Sequence, residues 1–223
     1  MLKLTIGNKN YASACMPPWV LLRHAGIPFQ EVVLPGAPRL PLLAHGDIAA
    51  WDTMAVIESL AEWFPERAGW PGHARRRARA RSVCAEMHAD LPALARLCPM
   101  NVQAPMPQAG CVLWRRHADL RQQVRRLAAM WSELLCAHAG PWLFGAFSAA
   151  DAFAAPLCVQ IRNYALPVPG PVMDYVGRMW ALPAVQAWVK AALAEKVFVR
   201  ALEPYRLDAQ SGPVFARSAL SME

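Results

Sequence analysis

Charge is scarce in this chain. Only 17% of its 223 residues are charged, and lysine occurs at Lys3, Lys9, Lys190 and Lys196 alone. With an apolar fraction of 56%, the composition excludes a disordered polymer, which lacks the apolar mass to bury. The six cysteines, Cys15, Cys84, Cys98, Cys111, Cys136 and Cys158, form no C-x-x-C pair and have no histidine at metal-ligand spacing. That excludes the zinc and disulfide frameworks such patterns announce, and leaves reduced thiols in a cytoplasmic protein as the expectation. No apolar run is suited to crossing a bilayer. The nearest, 141–161, is interrupted by Gly145, Asp151 and Pro156 and reads as a buried helix. No secretory leader is expected either, because the short run after Lys3 stops at Gly7. Internal repeats, phosphate-loop motifs and metal motifs are all missing.

What is present is aromatic and basic. Nine Trp and ten Met in so weakly charged a chain imply additional buried apolar surface, most simply in an oligomer interface. The net charge is +7, from 23 basic against 16 acidic residues, and arginine dominates it. Arg75, Arg76, Arg77, Arg79 and Arg81 cluster at the start of one helical segment. Without interleaved aromatics they read as a solvated helix face rather than a nucleic-acid patch.

The informative stretch is KLTIGNKNYASACMPPWVLLRHAG, residues 3–26. Lys3, Leu4, Thr5 and Ile6 are a short β-type run, and 8–13 is a small, polar, turn-prone loop. Pro17 and Pro18 fit only the first turn of a helix, and Gly26 ends it. Strand, polar loop, helix is an arrangement that aims hydroxyls and backbone N–H groups at an anion above the helix N-terminus.

GNKNYASACMPPWVLLRHAGIPF resembles the N-terminus of bacterial glutathione transferases related to the tau and zeta classes. In those proteins a serine of this loop donates a hydrogen bond to the glutathione thiolate. Here Ala12 stands where that serine belongs. Ser13 keeps a second serine, Ala14 replaces an aromatic residue, Cys15 a third serine, and Pro17 an arginine. The scaffold positions match and the chemical ones are damaged.

Further along, 29–34 reads as a second strand, and 40–43 and 48–51 as two strands around a turn at His45, Gly46 and Asp47. Asp52 or Thr53 then caps a helix bearing Met54, Ile57, Leu60, Ala61 and Phe64. This order resembles a thioredoxin-like domain, in which Leu40–Pro41 is the cis-proline turn. Family members carry a helix between the second and third strands, where this chain has only PGAP, 35–38. The strand ends to be joined lie roughly 10 Å apart, and five virtual bonds reach about 17 Å, so a bare loop suffices. The sheet then loses the cover over one face.

The Gly/Pro-rich segment 66–73 is the expected linker between a thioredoxin-like domain, 1–65, and an all-helical domain, 74–223. In the latter, 74–97 reads as one helix kinked at Pro92, 98–110 as loop, and 112–138 as one long helix. Ser148 and Asp151 form a capping box with Phe147 as its hydrophobic staple. FSAADAFAAP, 147–156, also resembles the start of the buried helix in the transferase C-terminal domain. Two helices follow, near 172–182 and 184–196, and the tail from Phe198 reads as coil. The resemblance spans residues 3–200. It implies an α/β thioredoxin-like domain, shortened by one helix, followed by an all-α domain in a homodimer.

The resemblance also implies a site. Asp52 and Thr53 would hold the γ-glutamyl carboxylate, Leu40 beside Pro41 would offer its backbone to the cysteinyl part, and Arg39 would meet the glycine carboxylate. Each of Asp52 and Thr53 equally reads as a plain helix cap. Making a thiol mostly thiolate at neutral pH requires about 2.7 kcal/mol. A helix N-terminus supplies roughly 0.3–1 and a hydrogen bond to a charged acceptor roughly 1.5–3, so a hydroxyl must carry most of it. Ser13 either donates that bond or caps the helix. Cys15 is the weaker candidate, for a mixed disulfide, and Tyr11 reads as loop packing. His88, Trp114, Arg115 and Tyr164 fall where an electrophile pocket would lie. The expected function is glutathione binding with conjugation to a small hydrophobic electrophile, without a metal; the alternative is a non-catalytic binding or scaffold protein.

Overall fold

Alternation along the first strand decides which face of the sheet is buried. In the computed structural model, which describes residues 1–67 and 69–207, Leu2, Leu4 and Ile6 of β1 (Leu2–Ile6) are buried while Lys3 is exposed. β1 is flanked by β2 (Gln30–Val33), parallel to it, and by β3 (Leu42–His45), antiparallel; β4 (Ile48–Trp51) pairs antiparallel with β3. The register sets Leu4 opposite Glu31 on one side and Leu43 on the other. Helix α1 (Met16–His24) lies on this buried face, where the Trp19 indole N–H donates to Glu31 at 2.5 Å.

No helix joins β2 to β3. The opposite face of the sheet accordingly leaves Lys3, Gln30, Ala49 and Trp51 exposed, and the connection runs as a turn through Gly36, whose φ of 84° suits glycine. The Leu40–Pro41 peptide is cis. α2 (Thr53–Trp63) completes the β-α-β-β-β-α order.

The remaining helices are α3 (Ala74–Ala89), α4 (Pro92–Leu97), α5 (Pro107–Arg116), α6 (Ala118–Ala137), α7 (Ala149–Asn163), α8 (Gly170–Ala181) and α9 (Pro183–Ala194). Two expected helices are in fact pairs. The segment 74–97 breaks at Asp90 and Leu91, because Pro92 is better placed opening α4 than bending a continuous helix. The segment expected as one helix from 112 opens earlier, at Pro107, and breaks at His117, whose φ of −108° and ψ of 104° are extended. Amphipathic periodicity ran through that break unnoticed, since one extended residue barely disturbs the apolar spacing.

α7 is the central helix. All but one of its fifteen residues are buried, and it packs on α1, α3 and α8. Its N-terminus has the expected capping box: Ser148 N–H donates to the Asp151 carboxylate at 2.9 Å. Leu143 N–H and the Tyr175 hydroxyl donate to the same carboxylate, each at 3.0 Å. Burial still pushes the Asp151 pKa up to about 6, against the lowering effect of these donors.

The segment after α9 is not plain coil. It forms a 3-10 turn (Arg200–Leu202), and the Tyr205 hydroxyl donates to Leu97 O at 2.7 Å. Glu203 is fully buried and accepts from the Tyr11 hydroxyl at 2.7 Å. Low periodicity concealed this segment because it is tied down by polar partners rather than by an apolar stripe. Residues beyond 207 of that expected coil lie outside the described residues.

Candidate functional site

The loop between β1 and α1 is fixed from below by buried charge. Lys9 is 3% exposed and is ion-paired to Glu31 of β2 and, at 3.8 Å, to Glu195 at the end of α9. Its N–H donates to Glu195 at 2.8 Å, and its carbonyl accepts from the Trp188 indole at 3.0 Å. Asn10 accepts from Gln103 N–H at 2.8 Å. A buried ammonium held by two half-buried carboxylates fixes the geometry of the loop. This network escaped the sequence analysis; its one signal was a lysine among small residues in a lysine-poor chain.

The loop so held delivers Ser13 to a cleft. A cavity of about 240 Å³ has Ser13 and Thr53 on one wall and Met87, His88 and Leu91 of α3 and its following turn, with Phe153 of α7, among those opposite. Leu94 and Leu157 extend the apolar side. The Ser13 hydroxyl has no hydrogen-bond partner among the described residues. Neither the 3-10 turn (Ser13–Cys15) nor α1 has a side-chain cap, and the N-cap of α1 is Cys15. Ser13 is therefore not the helix cap, one of the two roles open to it.

The helix behind it offers little to an anion. The Met16 N–H donates to Ser13 O, and Pro17 and Pro18 have no N–H to give. With these first-turn donors used or missing, a charge above α1 depends all the more on the hydroxyl.

The other predicted residues are distributed unevenly. The Thr53 hydroxyl, 1% exposed, donates to Ala14 O at 2.8 Å and so ties α2 to the loop. Asp52 is the N-cap of α2: its carboxylate accepts from Met54 N–H at 2.8 Å and lies 3.2 Å from His88 Nε2. Its φ of 76° is strained for a residue with a Cβ. Gly7 marks where the Leu40–Pro41 turn meets the loop: a Cβ there would stand 3.2 Å from Ala12 Cβ and 3.6 Å from Leu40 Cδ1. Leu40 and Pro41 lie outside the cavity wall, and the Arg39 guanidinium sits 4.7 Å over the Trp51 ring.

Cys15 faces the core at 2% exposure, and burial pushes its thiol up to about 11, opposed only weakly by the Gly7 backbone. A protonated, enclosed thiol is a poor nucleophile. Tyr11 is occupied with Glu203, in keeping with loop packing. Of the four pocket positions inferred from sequence, His88 lines the cleft. Trp114 and Arg115 do not; Trp114 instead lies under Arg125, and Tyr164 is buried with its hydroxyl on Pro99 O. Their helices carry them to other faces, a rotation that position in sequence could not supply. Among the described residues no group of acidic, histidine or cysteine side chains could hold a metal ion.

Comparison with solved structures gives the class of fold. A glutathione transferase homologue from Burkholderia gl BGR1, with glutathione bound, superposes with a TM-score of 0.63 at 22% identity, covering 87% of this chain and 98% of that one. A glutathione S-transferase from Legionella pneumophila gives 0.65 at 17% identity, covering 84% and 98%. The theta class enzyme of Xanthomonas axonopodis pv. citri, also with glutathione bound, gives 0.61 at 19% identity, covering 86% and 98%. This chain has the glutathione transferase fold: a thioredoxin-like α/β unit, here one helix short, packed on an all-helical unit. No protein-family model matches the sequence, and no curated protein matches it significantly.

Proposed function

We propose that this protein binds glutathione in the cleft above α1 and α2 and presents its thiolate, through the Ser13 hydroxyl, to a small hydrophobic electrophile. The observation that carries the reading is the Ser13 hydroxyl, without a hydrogen-bond partner among the described residues, lining the same cavity as Thr53. The N-terminal turn of α2, with Asp52 and Thr53, takes the γ-glutamyl end; Leu40 and Pro41 border the middle of the tripeptide, and Arg39 takes the glycine carboxylate. Met87, Leu91, Leu94, Phe153 and Leu157 form the electrophile wall. In this division residues 1–65 bind the tripeptide, 66–73 link, and 74–223 supply the second substrate's side. Conjugation of an aromatic electrophile by the wild type, lost in Ser13→Ala with glutathione binding retained, is the expected result. Equal rates in both proteins would remove Ser13 from the mechanism.

A second reading, a non-catalytic binding or scaffold protein, is favoured by Ala12 at the serine position together with the missing helix beside the cleft. Retention on glutathione-agarose without turnover would select it. Homodimer formation draws support from the exposed Ile48 and Trp51 of β4, 53% and 47% accessible; light scattering on the eluting protein tests it. The cytoplasm is the proposed compartment, all six cysteines being unpaired.

A further inference from the structure

The arginine run that opens α3 is not a uniform solvated face. Arg77 folds back onto the Gly72 carbonyl at 2.6 Å, and Arg81 pairs with Glu58 at 2.7 Å. Arg79 shares Glu133 at 2.7 Å. Arg75 and Arg76 have no anionic partner among the described residues. These last three lie on one side of the helix, at i, i+1 and i+4. With His73 and with Ala137 and His138 at the end of α6 they line a hollow of about 510 Å³.

Inside the hollow the positive charge of Arg75 and Arg76 has no carboxylate against it among the described residues. His138 Nδ1 is shut off from solvent with no hydrogen-bond partner among the described residues, its ring stacked on Phe144. Burial and the charges of Arg76 and Arg79 push its pKa down. α3 starts at the rim with no side-chain cap on His73 and no acidic residue in its first turn. The fold thus gathers cationic groups around a concavity and, among the described residues, supplies one carboxylate, Glu133, to Arg79 alone.

We propose that this hollow binds the phosphoryl group of a small anionic molecule, held by Arg75, Arg76 and Arg79. Guanidinium forks match the tetrahedral oxygens of phosphate in pairs, and His73 lies at the margin. Nucleic acid is the poorer fit, because no Trp, Tyr or Phe side chain lines the hollow to stack a base. The site lies apart from the Ser13 cleft, with which it shares no lining residue, so it stands or falls independently of glutathione binding.

Titration calorimetry of the full chain with inorganic pyrophosphate, at constant ionic strength against chloride, tests the site. Pyrophosphate is expected to bind the wild type and to lose about tenfold or more in affinity in the Arg75→Gln/Arg76→Gln double variant. An Arg96→Gln/Arg126→Gln variant, equal in net charge and remote from the hollow, is expected to bind like the wild type. Thermal melts confirm that both variants fold. No heat with the wild type, equal affinity in the double variant, or an equal loss in the charge-matched control overturns the proposal. So does a short DNA duplex that binds more tightly than pyrophosphate and displaces it.

Discussion

Removing the Asp151 carboxylate is expected to unseat the helix on which the cleft is built. Four donors converge on it: Leu143 N–H at 3.0 Å, Ser148 N–H at 2.9 Å, the Ser148 hydroxyl at 3.1 Å and the Tyr175 hydroxyl at 3.0 Å. Asp151 is fully buried and so is Tyr175, so water cannot replace the lost acceptor without a cavity opening. Each stranded donor costs roughly 1–3 kcal/mol. Allowing for non-additivity and for rotation of the serine hydroxyl, Asp151→Ala should lose about 4 kcal/mol. For a chain of this size that is about 8–16 °C in Tm.

Asp151→Asn isolates the charge. The folded pKa, about 6, stands above the ordinary 3.8. A raised carboxyl contributes stability that is fully present below the unfolded pKa and is lost as pH rises through the folded one. Between pH 5 and pH 7 the wild type should therefore lose about 1 kcal/mol relative to Asp151→Asn. Urea unfolding of the three proteins at both pH values measures it. An Asp151→Ala protein as stable as the wild type, or a gap between wild type and Asp151→Asn independent of pH, would refute the reasoning.

Three further perturbations probe the site and its frame. Ser13→Ala should raise the pKa of bound glutathione by about one to two units, the worth of one hydroxyl bond to a thiolate; a pH–rate profile reads the shift, and an unmoved profile contradicts the assignment. Lys9→Met should destabilise by about 1–3 kcal/mol by taking the ammonium from the half-buried Glu31 and Glu195, which keep the Trp19 indole and the backbone N–H of position 9 as donors, measured by denaturant unfolding; a neutral result would mean that this network does not hold the loop. Gly110→Ala should cost about 3 kcal/mol or prevent folding, because a Cβ there would lie 1.7 Å from Tyr164 O and must push α5 off α7; a normal melt would show that the two helices separate freely.

The sequence made the apolar scaffold legible and left the polar one obscure. The β-type run at 3–6, the Leu40–Pro41 turn and the Ser148–Asp151 box are local signals, and the structure has all three. The absence of a helix after β2 was legible for the same reason, since four residues cannot make one. Breaks at Asp90–Leu91 and His117 were missed because helical spacing resumes in phase beyond them. Lys9, Glu31, Glu195 and Trp188 meet across 22 to 186 positions, a separation that no local pattern records. The role of Ser13 divides along the same line. Its residue type pointed first to a cap, and only the placement of Cys15 as the N-cap of α1 sets the cap aside.

The central claim is that a cradle for the tripeptide persists although Ala12 occupies the position of the reactive serine. Titrating glutathione into the protein by calorimetry to millimolar concentration tests it most directly. Saturable heat with one site per chain, weakened by changing Asp52 and Thr53 together, is the predicted result. A flat titration across that range would contradict it and leave the fold without the ligand.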